Sequence, residues 1–148
     1  MKNAKSTKCL AAAAAIAVGR ASPFMVAAQT SQKISPGLAA IMSAVKLWTA
    51  ARQQNWELAA YELELLKAGL TDAVGLYADI PVPNIAMVDR PIKSLDSAIT
   101  ARNGAAFGKA FGELTAGCNS CHQSVGRSFI VMTVPTASPF GNQSFAPR

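Results

Sequence analysis

Two cysteines and the single histidine of the chain fall within five consecutive residues, Cys118-Asn119-Ser120-Cys121-His122. On a helix, side chains three and four positions apart share one side, so both thiols and the imidazole face the same way. In this spacing two thiols can add to the vinyl groups of one haem, while the histidine takes an axial position on its iron. The motif therefore predicts one covalently attached haem c, held by Cys118 and Cys121, with His122 as an axial iron ligand.

Three other interpretations of the motif are a thioredoxin-type redox pair, half of a zinc site, and two ordinary buried thiols beside a chance histidine. A redox pair of that type should follow a strand in an alternating α/β pattern. A zinc site needs a third and a fourth ligand, and the chain has three cysteines and one histidine in all. Haem attachment is the favoured interpretation, because the motif signals it strongly in an exported chain.

Residues 1–28 have the features of a secretory signal peptide. Three lysines precede an apolar run from Cys9 to Val18, and Val26-Ala27-Ala28 offers small residues for cleavage before Gln29. The run is too short for a membrane span, and an uncleaved anchor is the alternative. Cleavage would remove Cys9 and leave two cysteines for two vinyl groups. We therefore predict export to the periplasm, with residues 1–28 as signal peptide and 29–148 as one monohaem domain.

The net charge of the chain falls when the predicted signal peptide is removed. The full sequence has 14 Lys+Arg and 8 Asp+Glu, a net charge of +6, and four of the basic residues lie within residues 1–28. The remaining 120 residues carry a net charge of +2, which two haem propionates would bring close to zero. The charge thus gives no support to a nucleic-acid partner or an acidic membrane surface, and we expect no stable membrane insertion of the mature chain.

Apolar periodicity in the mature chain predicts four helices. The first begins at Ser35-Pro36, the second is capped by Asn55, the third begins at Arg90-Pro91, and the fourth follows Asn103-Gly104 and runs into the haem motif. Prolines in the stretch 79–84 predict an extended crossing between the second and third helices. The predicted fold is all-α, an antiparallel four-helix bundle with the haem motif in the last helix and an extended C-terminal tail.

Apolar stripes indicate which helix faces are buried. The stripe of the first helix is predicted to face the core, and it consists of Leu38, Ile41, Met42, Val45 and Trp48. In the fourth helix the apolar face includes Phe107 and Phe111, which are predicted to pack beside the haem. Glycines in that helix weaken it, so a close approach of another element is expected at Gly108, Gly112 or Gly117. In the tail, Phe140 and Phe145 are expected to anchor the chain to the bundle.

This arrangement resembles the class II c-type cytochromes, which comprise cytochrome c-prime and low-spin c556-like proteins. A closer resemblance is to a group of exported bacterial monohaem cytochromes. It is carried by the haem motif together with Lys46-Leu47-Trp48, Asn55-Trp56, Tyr61-Glu62-Leu63 and Pro139-Phe140-Gly141-Asn142-Gln143-Ser144-Phe145. The chain departs from most cytochromes c-prime four residues beyond the axial histidine, where Gly126 replaces the usual arginine and Arg127 follows.

The resemblance implies one-electron transfer to and from redox partner proteins in the periplasm, without enzymatic activity of its own. It also implies that Met42, rather than Met87 or Met132, is the distal axial ligand, because a methionine ligand in class II relatives comes from the first helix. The alternative function is a five-coordinate haem protein that binds a diatomic gas such as nitric oxide. A peroxidase, or an electron-donating subunit of a larger enzyme, is a third class, and a homodimer is possible.

Overall fold

The computed structural model describes residues 35–77, 80 and 82–148, so the predicted signal peptide, 1–28, lies outside the described residues. The helices are α1 (Pro36–Arg52), α2 (Trp56–Leu76), α3 (Val82–Thr100) and α4 (Gly104–Ser124). They form two tightly packed hairpins, α1 with α2 and α3 with α4, which pack mainly through α2 and α3. The predicted all-α four-helix fold is confirmed. None of the described helices is both long and apolar enough to cross a membrane.

The two helix hairpins are closed by connections of the same design, each three residues long. In each connection one residue adopts the left-handed conformation, Gln54 with φ 61° and Arg102 with φ 51°. The next residue, Asn55 or Asn103, caps the following helix, because its side-chain oxygen accepts a backbone N–H at 3.1 Å or 3.0 Å. The predicted cap at Asn55 is confirmed, while Asn103 was expected only as the end of the preceding helix. The short connections hold each helix pair antiparallel.

Helix α1 packs on α2 mainly through small residues. Its buried residues are Ala40, Ser43, Leu47, Thr49, Ala50 and Ala51. A Cβ atom at Gly69 of α2 would lie 3.2 Å from the backbone nitrogen of Ala40, so the two backbones approach closely there. The prediction of a core-facing stripe is therefore wrong for Leu38 and Ile41, which are 49% and 38% exposed. Close backbone contact favours small side chains at the interface, so larger side chains such as Leu38 and Ile41 lie outside it.

Helix α3 begins well before the predicted start at Arg90-Pro91, and the predicted extended crossing through residue 84 is also wrong. Pro83 lies in the first turn of α3, where a backbone N–H has no acceptor within the helix, so proline is tolerated there. Pro91 lies inside α3 and lacks the N–H that would otherwise donate to the carbonyl of Met87. The helix continues through this position, and Pro91 itself is buried.

Gly117 of α4 lies against this same Met87 carbonyl. A Cβ atom at position 117 would lie 2.9 Å from the Met87 oxygen and 3.1 Å from Cγ1 of Val88, whereas one at Gly108 or Gly112 would have no neighbour within 4 Å. The expected close approach is thus present at Gly117 and absent at the other two glycines. Helices α3 and α4 are in backbone contact directly before Cys118.

Gly117→Ala is expected to lower the free energy of unfolding by about 1–3 kcal/mol, because the added methyl group must displace the backbone of α3. Gly112→Ala is the matched control, since the space there is open. It should leave stability unchanged or raise it by up to about 1 kcal/mol, through the higher helix propensity of alanine. Urea unfolding followed by circular dichroism measures both. Equal stability of the two alanine variants would contradict the close contact.

The C-terminal tail starts with a Schellman-type end of α4. Gly126 has φ 71°, its N–H donates to a carbonyl of the last turn at 3.1 Å, and the N–H of Arg127 donates to the carbonyl of His122 at 2.7 Å. The tail then continues without helix or strand to residue 148. Phe145 is buried, and its ring centroid lies 6.4 Å from that of half-buried Phe140. The predicted tail and its two aromatic anchors are confirmed.

Polar side chains of the first hairpin also hold the tail. Nζ of Lys46 lies 5.1 Å from the ring centroid of Phe140 and 4.0 Å from Oε1 of Glu62. Asn55, which caps α2, also donates from Nδ2 to the carbonyl of Ala146 at 3.2 Å. The segments 46–48, 55–56, 61–63 and 139–145, distant in sequence, therefore meet on one side of the bundle.

Glu62 is a buried carboxyl group in this contact, and its Oε2 has no hydrogen-bond partner in the described part of the chain. Burial raises the pKa of Glu62, against the opposing effects of Lys46 and of a hydrogen bond with Ser43. Since the pKa is higher in the folded state than its ordinary value of 4.5, the folded state binds the proton more tightly. The contribution of the protonated Glu62 to the free energy of unfolding is therefore complete at pH values below 4.5. This contribution is lost as the pH rises through the folded-state pKa.

Glu62→Gln removes this titration, so its unfolding free energy should rise relative to wild type as the pH is raised from about 4 to about 8. Glu64→Gln serves as the control, because Glu64 is exposed on the same helix and pairs with Lys67 at 2.7 Å. Urea unfolding across this range measures the difference. Parallel pH profiles for Glu62→Gln and wild type would refute the raised pKa.

Candidate functional site

The structure places Cys118, Cys121 and His122 together in the last two turns of α4, and all three side chains are half-buried. Cys118 packs against the buried core, and both cysteines are free thiols. The same face of α4 carries buried residues in the preceding turns, namely Phe107, Ala110, Phe111 and Leu114. Core packing of those turns therefore orients the motif, which lies at the end of the same buried face.

Phe107 and Phe111 are almost fully buried and are enclosed by aromatic side chains of the first hairpin. The Trp48 ring centroid lies 4.9 Å from that of Phe111 and 6.0 Å from that of Phe107, and Trp56 lies 6.4 Å from Phe107. These contacts join α4 to α1 about two turns before the haem motif. Contact of the two phenylalanines with a haem stays a prediction.

The imidazole of His122 has a defined hydrogen bond. Its Nδ1 lies 3.0 Å from the backbone carbonyl oxygen of Ile130 in the tail. Because a carbonyl can only accept, Nδ1 carries the hydrogen, and in the neutral imidazole Nε2 has the lone pair. This is the tautomer that an axial ligand requires, with the other ring nitrogen oriented by a carbonyl, as metal-binding histidines usually are.

Asn119, one of the two spacer residues of the motif, binds the backbone of Met132 twice. Its Nδ2 donates to the Met132 carbonyl at 3.0 Å, and its Oδ1 accepts the Met132 N–H at 2.7 Å. The sequence analysis treated Asn119 only as spacing and missed this role. An amide side chain in the motif, followed by an extended β-branched segment, was the available signal, since an amide can both donate to and accept from one extended residue.

The electrostatic environment of the thiols does not favour a redox-active dithiol. Burial, with a contribution from Cys121, raises the pKa of the Cys118 thiol to about 11, and burial also raises the pKa of Cys121. Thioredoxin-type cysteines instead need a lowered pKa, because the thiolate is the nucleophile. Nor do residues 35–77, 80 and 82–148 contain a group of three or more His, Cys, Asp or Glu side chains arranged to hold a metal ion.

Met42 lies on α1 at the same end of the bundle as the motif. It is six residues before Trp48, about 9 Å along the helix, and Cys118 is seven residues beyond Phe111, about 10 Å along α4. Since Trp48 contacts Phe111 and the helices are antiparallel, both steps lead to the same end. Met42 is half-buried, and it is not among the described apolar residues that form the core or pack against it.

A cavity of about 410 Å³ lies between α1 and the tail near this end. Val45 of α1, one turn from Met42, lines it together with tail residues that include Val131, Met132 and Thr133. Met132, which lines this cavity, is also the residue whose backbone Asn119 of the motif binds.

The residues at this end fit a covalently attached haem. Two free thiols and an imidazole with an available Nε2 share one face of α4, and half-exposed Leu38 and Ile41 supply apolar surface on α1. A porphyrin is largely apolar and is buried by apolar surface on both sides of its ring. This burial also helps to set the reduction potential of the iron. Met42, the methionine of α1, stays the predicted second axial ligand.

Comparison with models of known protein families gives no match, and neither the curated proteins nor the solved structures include a significant match to this chain. The functional assignment therefore depends on the residues of the site and on their geometry.

Proposed function

We propose that this protein is an exported c-type cytochrome, resembling class II cytochromes, that carries one covalent haem and transfers single electrons between redox partners in the periplasm. The observation that carries the proposal is the hydrogen bond from Nδ1 of His122 to the Ile130 carbonyl. It leaves Nε2 available on the same helical face as two free thiols. An axial ligand requires this tautomer, because iron binds the lone pair of Nε2.

Cys118 and Cys121 would hold the group through thioether bonds. Each thiol adds its sulfur and its hydrogen across one vinyl double bond, so no atom is lost and no oxidant is required. His122 would bind iron through Nε2. The haem, when bound, supplies one iron centre that alternates between the ferric and ferrous states. All remaining parts of the mechanism belong to the chain, and no acid–base or nucleophilic step is needed.

The chain contributes rigidity and electronic tuning. Packing of Phe107 and Phe111 against the tryptophans of the first hairpin, together with the Gly117 contact with α3, fixes the helix that bears the motif. A fixed ligand geometry keeps structural change on electron transfer small. The Ile130 carbonyl, as acceptor for Nδ1, makes the imidazole a stronger electron donor.

Met42 would supply the second iron ligand in this proposal. Met42 lies at the end of α1 that is closer to the haem motif. It does not belong to the packed core of the described residues, so core packing does not explain the presence of a methionine there. Met132 is less suitable, because its backbone is bound to Asn119 and Ile130, two residues before it, contacts the Nδ1 side of the imidazole, not the Nε2 side. Met87 lies on α3 and is 42% exposed. Homodimer formation stays a prediction.

The test is to produce the full chain in a bacterium with competent cytochrome c maturation, and to purify it from the periplasm. The mass should exceed that of the mature chain by one haem, and the absorption spectrum should change reversibly in a one-electron titration. A periplasmic protein without covalent haem, in a strain that matures a control cytochrome, would refute the proposal.

A further inference from the structure

We infer that Asn119 is a positioning residue for the axial histidine: by binding Met132 it holds the Ile130 carbonyl against Nδ1 of His122 and so lowers the reduction potential of the haem. The inference rests on the proposed function, because a reduction potential requires bound haem. Its structural part, the control of the His122 hydrogen bond by Asn119, can be tested on the full chain with or without haem.

Two residues of α4, Asn119 and His122, have the right spacing to bind two residues of the tail, Met132 and Ile130. Asn119 and His122 are three residues apart and therefore lie on neighbouring positions of one side of α4. Ile130 and Met132 are two residues apart in an extended segment, where alternate residues are directed to the same side. The amide of Asn119 thus binds Met132 while the imidazole of His122 binds Ile130, at 2.7–3.0 Å in all three hydrogen bonds.

Apolar packing does little to hold this part of the tail. Phe129 is 80% exposed and Val131 is 69% exposed, so the outward residues on either side of Ile130 gain little from burial. The Ile130 N–H donates to the Arg127 carbonyl at 2.9 Å, so hydrogen bonds, those from Asn119 included, are the principal restraint on the position of the Ile130 carbonyl. Loss of both Asn119 bonds would allow the segment to move away from His122, and water would compete for Nδ1.

The position of this carbonyl affects the iron through the imidazole. An N–H that donates to a carbonyl leaves more electron density on the ring, which strengthens its donation to iron and favours the ferric state. Weakening that bond should therefore favour the ferrous state and raise the potential. Loss of the axial ligand itself would change the spin state as well, so an unchanged spin state distinguishes the weakened hydrogen bond from a lost ligand.

The decisive variant is Asn119→Leu, which is similar in size and can form neither bond. Its equilibrium between ferric and ferrous forms should shift about tenfold toward the ferrous form, which for a one-electron couple is 59 mV. Asn119→Gln keeps both the donor and the acceptor and should return the potential toward the wild-type value. The matched control is Ser120→Ala, since within the described residues the Ser120 hydroxyl donates to the carbonyl of Ala116 in its own helix at 3.0 Å and has no bond to the tail. That variant should keep the wild-type potential.

A second measurement reports the hydrogen bonds themselves. In NMR spectra of the full chain, hydrogen exchange at the Met132 amide and at Nδ1 of His122 should be slow in wild type and Ser120→Ala, and fast in Asn119→Leu. Equal potentials of Asn119→Leu and Ser120→Ala, or equal exchange rates in the two, would overturn the inference. Absence of covalent haem from wild type would refute the proposed function instead, and the exchange rates would still decide the role of Asn119.

Discussion

Simultaneous replacement of Cys118 and Cys121 by alanine is expected to abolish all haem that survives acid–acetone extraction. Both thioether bonds are lost, and His122 alone can hold haem only through a reversible bond to iron. The full chain carrying the variant should be produced beside wild type in the same maturation-competent strain. Mass spectrometry of the purified proteins then measures covalent haem directly.

Cys9→Ala is the control for this experiment. Cys9 lies in the predicted signal peptide, so the variant should carry the same covalent haem as wild type, and its purified mature form should have an unchanged mass. Single replacements of Cys118 or Cys121 should retain one thioether at reduced yield. Equal covalent haem in the double variant and in wild type would show that attachment occurs elsewhere, and the assignment of the motif would be wrong.

Met42→Ala is expected to open the iron to external ligands. If the Met42 thioether is the distal ligand, the ferric wild-type protein should show a weak sulfur-to-iron band near the red end of the spectrum, and this variant should lack it. Ferrous Met42→Ala should bind carbon monoxide fast and fully, while the wild type should bind it slowly or weakly. The reduction potential should also fall, since a thioether ligand favours the ferrous state.

Met87→Ala and Met132→Ala provide matched controls for this test. Neither should remove the band, because Met87 lies on α3 and Met132 is bound through its backbone to Asn119. Loss of the band in Met132→Ala alone would transfer the distal role to the tail. A wild type that already binds carbon monoxide fast and fully, with a spectrum unchanged by Met42→Ala, would instead favour the gas-binding alternative.

Local signals predicted much of the fold correctly. Ser35 and Asn55 were each expected to cap a helix, and each does, because an N-cap depends on a side chain and on backbone N–H groups only a few residues away. Asn103 was expected only at the end of the third helix, and the structure shows that it caps the fourth. The fourth helix and its apolar face were also expected, since the apolar period continues from Phe107 into the haem motif. These features involve contacts near in sequence.

Prolines gave a wrong local signal at α3. Pro91 was interpreted as a helix start, although it lies inside a helix that begins at Val82. The cost of proline within a helix is a lost hydrogen bond and a local clash, and packing of α3 against α4 can offset both. Here Gly117 packs against the Met87 carbonyl that faces Pro91, a pairing that no local pattern contains.

The sequence by itself determined the motif, its expected cofactor chemistry, the helix caps and the all-α class, because spacing along one helix and capping are properties of neighbouring residues. Only the tertiary structure decided which face of α1 is buried, since the close contact of Ala40 with Gly69 depends on the partner helix. It likewise decided that the tail returns to α4, where Ile130 and Met132 bind His122 and Asn119 of the motif. Such contacts join residues on separate elements, and their geometry is set by packing of the whole bundle rather than by any local preference.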